Sequence, residues 1–388
     1  MTPAMTKLNS IQALRGVAAF AVFLCHIMAI EEAHSERGSK LTDLWINGAH
    51  GVDLFFVISG FIMVWVAGDL RRGAAQAGDF LFSRMTRIYP LWWLFAAAMV
   101  LFFWLMKGIP WDPPRIAAAG LDGPLHLFHS FILWPQPEHP VLGVGWTLVH
   151  EMYFYMAFAI LILLLPARLR LYGILAWSVI VTVGALAGLS AMFAGNLLEL
   201  AFYPMTLEFT AGALVGYAIK AGWRRHALLC VLVGSVGTLI SFLGFDLELI
   251  QALMASLGNE DFTAIHPIWR RTLSYGIPVA LLIYGLVALE LERGLGRWVP
   301  KFMVDLGDWS YSLYLCHTLT ISAIGRVIYT LFEPSFVSTT AYLILVTIGT
   351  ILISALTYRW FEQPSIRFFR RFRPKRSAKA SENTPASA

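Results

Sequence analysis

Two ionisable side chains, Arg15 and His26, stand inside the first apolar run of the sequence, IQALRGVAAFAVFLCHIMAI over residues 11–30. They are eleven residues apart, which in an α-helix is ~16 Å of rise and about three full turns. Both side chains therefore leave the same face, one toward each end of the run. A guanidinium holds anions, phosphates above all, through charge-assisted hydrogen bonds. A buried imidazole is kept neutral and can act as general base or as nucleophile. Arg15 taken alone also reads as an end-of-helix residue snorkelling to the interface. That reading leaves His26 and the shared face unaccounted for, and ionisable groups inside a membrane span are costly enough to mark a site.

Other charges join these two. Arg84 and Arg87, in FSRMTRIYPLWW, are three residues apart and share a helix face. With Arg15 at the same level they make an inner-face anion site, although either alone reads as an ordinary positive-inside residue. Asp53, in HGVDLFFVISGF, lies about as deep as His26 and can orient the imidazole; it reads equally as a helix N-terminal acid favoured by the dipole. Glu151, in GVGWTLVHEMYFY, is a carboxylate inside an apolar run and needs partners, with His26 and His150 as candidates and a structural ion pair as the alternative. His317, in WSYSLYLCH, takes no role from this pattern beyond that of a core histidine. Glu208, Arg326 and Arg359 are further unassigned charges, and Glu362 reads as a boundary residue. Gly51, Ser59 and Gly60 read as close-packing positions. Cys25, beside His26, points ~100° away around the helix and is discounted as a nucleophile.

The elements that must position these groups are membrane helices. Of 388 residues, 58% are hydrophobic and 14% charged, with a mean hydropathy of +0.66; soluble domains carry about 25% charged residues. The expected fold is an all-α integral membrane bundle of about ten helices, near 11–30, 51–68, 89–106, 143–165, 171–191, 200–219, 227–245, 273–290, 309–332 and 340–360. With both termini cytoplasmic, twenty Lys and Arg fall on the inner side, six outside and three within spans, the asymmetry of the positive-inside rule. The net charge of +5 follows from that distribution and gives no nucleic-acid signal. The three cysteines lie in apolar runs, so neither a disulfide framework nor a metal site is expected. No cleavable leader is expected. The outer segment 107–142 is rich in Pro, Trp and His and does not read as helix, although 125–134 could dip back toward the membrane. Trp92, Trp93, Trp134, Trp146, Trp309 and Tyr311 read as interfacial-belt residues. The division is a membrane domain over 1–366 and a basic, disordered cytoplasmic tail over 367–388 held near anionic lipid. An arginine group at the inner rim with an imidazole farther out suits a co-substrate with phosphates at one end and a thioester at the other, as in coenzyme A.

The motifs SIQALRGVAAFAVFLCH, GVDLFFVISGFIM, FSRMTRIYPLWW, GVGWTLVHEMYFY, WSYSLYLCH and FEQP occur in this order over about residues 8–366. The chain thereby resembles the acyltransferase-three family of integral membrane acyltransferases, and within it the exopolysaccharide-production acetyltransferases. The resemblance implies transfer of an acyl group, usually acetyl from acetyl-CoA, to a hydroxyl of a cell-envelope glycan, at a bacterial inner membrane. A lipid-linked or nascent glycan is then the acceptor, with membrane lipid and polysaccharide assembly machinery as partners and no nucleic acid. The family's essential arginine and histidine carry over to Arg15 and His26, its paired arginines to Arg84 and Arg87, and its fourth-span acid to Glu151. The expected assignment is Arg15, Arg84 and Arg87 on the coenzyme phosphates, His26 as base or acetyl carrier, and Glu151 or Asp53 as its support. The hydrolase-like domain that some O-antigen members append is not expected here, so acceptor delivery is expected to use the core or another protein. The rival class is a secondary transporter using the same charges; repeated halves with matching helix breaks would favour it, and no repeat is present. A weaker reading is a non-catalytic partner of a polysaccharide export complex.

Overall fold

The computed structural model describes residues 7–34, 46–105, 123–190, 195–244, 267–333 and 335–373. Regular structure among these residues is entirely helical. The main helices are α1 (Asn9–His34), α2 (Gly51–Ala67), α3 (Ala74–Leu105), α4 (Pro124–Ile132), α5 (Trp146–Leu164), α6 (Arg170–Leu186), α7 (Thr206–Lys220), α8 (Ala227–Phe242), α9 (Pro267–Arg293), α10 (Lys301–Asp308), α11 (Ser310–Leu331), α12 (Phe336–Thr357) and α13 (Gln363–Arg370). Each of the ten expected spans falls on a helix, and seven helical stretches among the described residues are long and apolar enough to cross a membrane. The other three are α7, of 15 residues and carrying Glu208, α8, of 16 residues, and α11, long enough at 22 residues but diluted by Ser, Thr, His and Arg. Exposed apolar side chains such as Val179, Ile180, Val183, Leu228, Leu232 and Leu239 lie on the outward faces of α6 and α8. That is the surface a bilayer would cover.

α1 and α2 form the middle of the bundle. α2 packs on α1, α5, α7 and α9, and α1 also packs on α10 and α11. Glycines permit the closest of these approaches. A Cβ at Gly60 would sit 1.8 Å from the Phe209 carbonyl oxygen, and one at Gly212 1.9 Å from that of Val57, so α2 and α7 meet backbone to backbone. At the end of α2, the fully buried Arg170 donates to the carbonyls of Gly68 (3.0 Å) and Leu70 (2.5 Å). This residue of the inner-side charge count thus satisfies carbonyls that a helix end leaves open.

α3 is 32 residues long, or ~48 Å, more than the ~30 Å of a hydrocarbon core. Arg84 and Arg87 therefore lie within a continuous helix rather than ahead of one. The hydropathy signal begins near residue 89 because the first turns of α3 are amphipathic. The segment 107–142 also departs from expectation, because Pro124–Ile132 is helical. Pro124 occupies the start of that helix, where a missing N–H costs nothing. Three side chains of α3 anchor the carbonyls at its other end: Trp92 Nε1 donates to Ser130 (3.1 Å), Trp93 Nε1 to Phe131 (3.0 Å) and the Tyr89 hydroxyl to Ile132 (2.8 Å). Trp92 is wholly buried, a core residue and not a member of an interfacial belt. Helix α13 crosses the expected boundary at 366, and Arg373 beyond it makes a bidentate pair with Asp79 (2.6 and 2.7 Å). Residues 374–388, the stretches 106–122 and 245–266, and Arg37 and Lys40 lie outside the described residues.

Candidate active site

α1, α2, α3, α5 and α11 line a cavity whose open space, mouth and adjoining solvent included, is about 790 Å³. α1 brings Arg15 to its wall, α3 brings Arg84 and Arg87, α2 brings Ser59, α5 brings Thr147, Glu151 and Tyr155, and α11 brings Ser310, Tyr311 and Tyr314. All three arginines expected to form an anion site, with Glu151, thus face one space.

The arginines are only partly satisfied. Arg15 and Arg84 are each 9% exposed, and Arg87 is half-buried. The Arg84 guanidinium lies over the rings of Phe80 (5.5 Å) and Tyr155 (5.8 Å), and its Nε has no hydrogen-bond partner. Arg15 reaches only the Gln12 side chain, at 3.5 Å. Among the described residues none of the three lies within 4 Å of a carboxylate oxygen. Glu151 is held instead by the hydroxyls of Ser59 (2.8 Å) and Tyr155 (3.3 Å). Nearby, the buried Glu362 accepts from Ser312 at 2.7 Å. It is an interior carboxylate in a π-helical turn over Tyr358–Glu362, and not a boundary residue. A buried cation without a direct counter-ion is costly; Arg15 and Arg84 are in that state among the described residues, Arg87 joins them half-buried on the cavity wall, and guanidiniums so placed can take an anionic ligand.

His26 does not line this cavity. It is half-buried, and its ring lies 5.0 Å from that of His317, which in turn lies 5.9 Å from the cavity-wall ring of Tyr314. A chain of three rings therefore links the arginine site to His26. His26 Nδ1 is 2.8 Å from the Val22 carbonyl and His317 Nδ1 is 3.2 Å from that of Leu313. A carbonyl only accepts, so each Nδ1 carries the proton and each Nε2 keeps a lone pair. Cys25 turns away, toward the Ile46 carbonyl at 3.3 Å.

The expected supports of His26 lie elsewhere. Asp53 is wholly buried, and its carboxylate takes a bidentate pair from Arg271 (Nη2–Oδ2 2.7 Å, Nε–Oδ1 3.0 Å), with His50 Nδ1 at 3.4 Å. Glu151 meets neither His26 nor His150, whose ring instead lies 4.7 Å from that of Tyr203. The neighbour of His26 is His317, a residue without a role in the sequence reading. Tyr311, Tyr314 and His317 recur at intervals of three in WSYSLYLCH, one face of a helix, and that periodicity is the signal that could have drawn His317 to the site. Among the described residues, no group of three or more His, Cys, Asp or Glu side chains is placed to hold a metal.

Comparison with known proteins bears on this arrangement. The family model described as "Acyltransferase domain" (Acyl_transf_3) matches residues 8–359. The chain is 33% identical over 284 residues to the exopolysaccharide production protein ExoZ of Rhizobium meliloti, covering 72% of this chain and 78% of that protein. It is 26% identical over 396 residues to the acyltransferase MdmB of Streptomyces mycarofaciens, covering 97% and 96%. A third relative, protein 2 in the picA locus of Rhizobium radiobacter, is 30% identical over 151 residues, covering 36% of this chain and 74% of that protein. No solved structure matches the chain significantly.

Proposed function

The chain belongs to the Acyl_transf_3 acyltransferase family, and on that premise we propose that it moves an acetyl group from cytoplasmic acetyl-CoA to a hydroxyl of an exopolysaccharide or other cell-envelope glycan. It would do so within a bacterial inner membrane, with both termini on the cytoplasmic side and a lipid-linked or nascent glycan as acceptor. The single observation that carries this reading is the cavity with three buried or half-buried guanidiniums and no carboxylate on any of them. Coenzyme A is a match in chemistry: phosphates for Arg15, Arg84 and Arg87, then a long uncharged arm that ends in the thioester. Glu151, fixed by Ser59 and Tyr155, has lone pairs left to accept from an amide N–H of that arm.

The arm must pass Phe55 and Tyr314, which line the cavity with their rings 5.9 Å apart, Tyr314 being the ring next to His317. His26 Nε2, with its lone pair free, then acts on the thioester or on the acceptor hydroxyl. In the direct route it takes the hydroxyl proton as the oxygen attacks the acetyl carbon and the thiolate leaves. In the two-step route it takes the acetyl group itself. Neither route asks anything of Asp53, which we assign to holding α2 against α9 through Arg271.

The test is transfer of label. Membranes containing the protein are incubated with radiolabelled acetyl-CoA, and the polysaccharide is extracted and counted. Label is expected in polysaccharide with the wild-type chain and not with Arg15→Ala or His26→Ala, both inserted at normal levels. Full incorporation by His26→Ala would remove the mechanism, and no incorporation by the wild type would favour a transport role for the same charges.

A further inference from the structure

His317 is the least explained polar side chain near the site. It is wholly buried, and its Nε2 has no hydrogen-bond partner. Its other nitrogen is committed to the Leu313 carbonyl, and its ring is packed edge-on by Phe23 (6.5 Å, 85°) and tilted against Tyr314. Buried polar groups are nearly always paired, and one that is not calls for an explanation. The remaining neighbour on this side is the ring of His26, 5.0 Å away and inclined by 64°. Two neutral imidazoles, each with its Nδ1 proton tied to a carbonyl one turn back on its own helix, thus stand side by side with both Nε2 lone pairs uncommitted.

One imidazole suffices for direct transfer. Two are needed when the first becomes the acyl carrier, because an acylated Nε2 can no longer accept a proton. We propose that His26 is the nucleophile and His317 the general base that activates the acceptor hydroxyl against acetyl-His26. This rests on the acyl-transfer reading above and selects its two-step route.

In the first half, His26 Nε2 attacks the thioester carbonyl carbon, the C–S bond breaks, and its electron pair leaves with the coenzyme A thiolate. The His26 Nδ1 proton stays on Nδ1 and is donated to the Val22 carbonyl, which supports the acetyl-imidazolium. In the second half, the acceptor oxygen attacks the acetyl carbon while its proton moves to His317 Nε2. The C–N bond breaks, and its pair returns to His26 Nε2. The balance is an acetyl ester, neutral His26, protonated His317 and thiolate; the proton then passes from His317 to the departing thiolate or to water. The geometry suits this order. A base must come within about 2.6–3.2 Å of the hydroxyl oxygen, and ring centroids 5.0 Å apart in an edge contact put the second imidazole directly beside the one that carries the acyl group.

The experiment uses the full-length chain in its own membranes, pulsed with radiolabelled acetyl-CoA, and counts label on the protein and in the polysaccharide separately. His317→Asn keeps a donor for Leu313 and removes the lone pair; His317→Gln is the second variant, in case the first does not fold. Both are compared with wild type for insertion and for coenzyme A binding. The expected result is labelled protein that forms at the wild-type rate and persists, with polysaccharide labelling slowed about 10²–10⁴-fold, the usual worth of a general base. Hydroxylamine should release the label, and a second substitution, His26→Asn, should abolish it. Wild-type labelling of polysaccharide by a folded His317 variant overturns the assignment of His317 and leaves the acyl-transfer reading standing. So does a folded, coenzyme-binding variant in which no labelled protein forms, since the defect then precedes the second half. Labelled polysaccharide from His26→Asn alone would overturn the assignment of His26 as nucleophile, whereas no labelled polysaccharide from the wild type would overturn the acyl-transfer reading.

Discussion

Replacing Arg84 by Met should weaken the ligand site and strengthen the empty protein. The guanidinium is 9% exposed, its Nε is unpartnered, and no carboxylate oxygen lies within 4 Å; its compensation is two aromatic faces at 5.5 and 5.8 Å. Cation–π contacts contribute about 0.5–2 kcal/mol each, less than the several kcal/mol it costs to take a cation out of water. A methionine of similar length keeps the aromatic contact through its sulfur and removes the desolvation cost; exchange of a whole buried ion pair for apolar packing is neutral or stabilising by about 1–4 kcal/mol, and removal of a cation with no direct counter-ion should act in the same direction. Against this, each charge-assisted hydrogen bond to a phosphate is worth about 1.5–3 kcal/mol, so its loss should weaken coenzyme A binding by roughly 10–150-fold. Arg84→Lys keeps the charge and loses the fork, and should fall between the two. Thermal unfolding of the detergent-solubilised protein, with and without coenzyme A, measures both effects in one assay. The expected pattern is a raised midpoint without ligand and a ligand-induced shift that is lost. A lowered midpoint with an intact ligand shift would show that Arg84 is a structural residue, and the anion-site reasoning would fail with it.

Three further outcomes follow from the contacts described. Glu151→Gln keeps the shape between Ser59 and Tyr155 but makes a poorer acceptor, so KM for acetyl-CoA should rise about tenfold, the lower end of a charged hydrogen bond; a fall in KM would mean that the carboxylate merely opposes the phosphates. Phe55→Trp, beside Tyr314 on the cavity wall, should lower kcat at least tenfold while coenzyme A binding by calorimetry stays within a factor of about three; an equal loss in both would place the arm elsewhere. Asp53→Asn leaves the half-buried Arg271 without its counter-charge and should destabilise by less than the ~3–5 kcal/mol of breaking a fully buried pair, with recovery in the double variant Asp53→Asn, Arg271→Met. Normal yield and melting behaviour in the single variant would return Asp53 to the list of chemical residues.

What the sequence makes legible here is depth, and what it leaves hidden is azimuth between helices. Arg15, Arg84 and Arg87 face one cavity because a charge in an apolar helix has few places to go other than the bundle interior, and their positions along α1 and α3 put them at compatible levels; Glu151, expected beside His26 or His150, joins the arginines' cavity instead. Asp53 obeys the same rule, yet its partner is Arg271, 218 residues away, at the end of a helix whose rotation no periodicity in α2 records. The same blindness affects Trp92. Its composition is that of a membrane belt, but its side of α3 faces α4, and a helix beginning at Pro124 had no pattern long enough to announce itself. Glu362 is read as lying past the last span because hydropathy falls there, while the π-helical turn that swings it inward onto Ser312 is a backbone event. His317 is the instructive case. Its spacing from Tyr311 and Tyr314 places all three on one stripe of α11, and Tyr311 and Tyr314 do line the cavity. But only the packing of α11 against α1 brings the third member of the stripe to His26 of the first helix. Local pattern thus supplies candidates and their level in the membrane; the pairings that turn candidates into chemistry come from which helix faces touch, and close approaches such as that at Gly60 and Gly212 are what decide those faces.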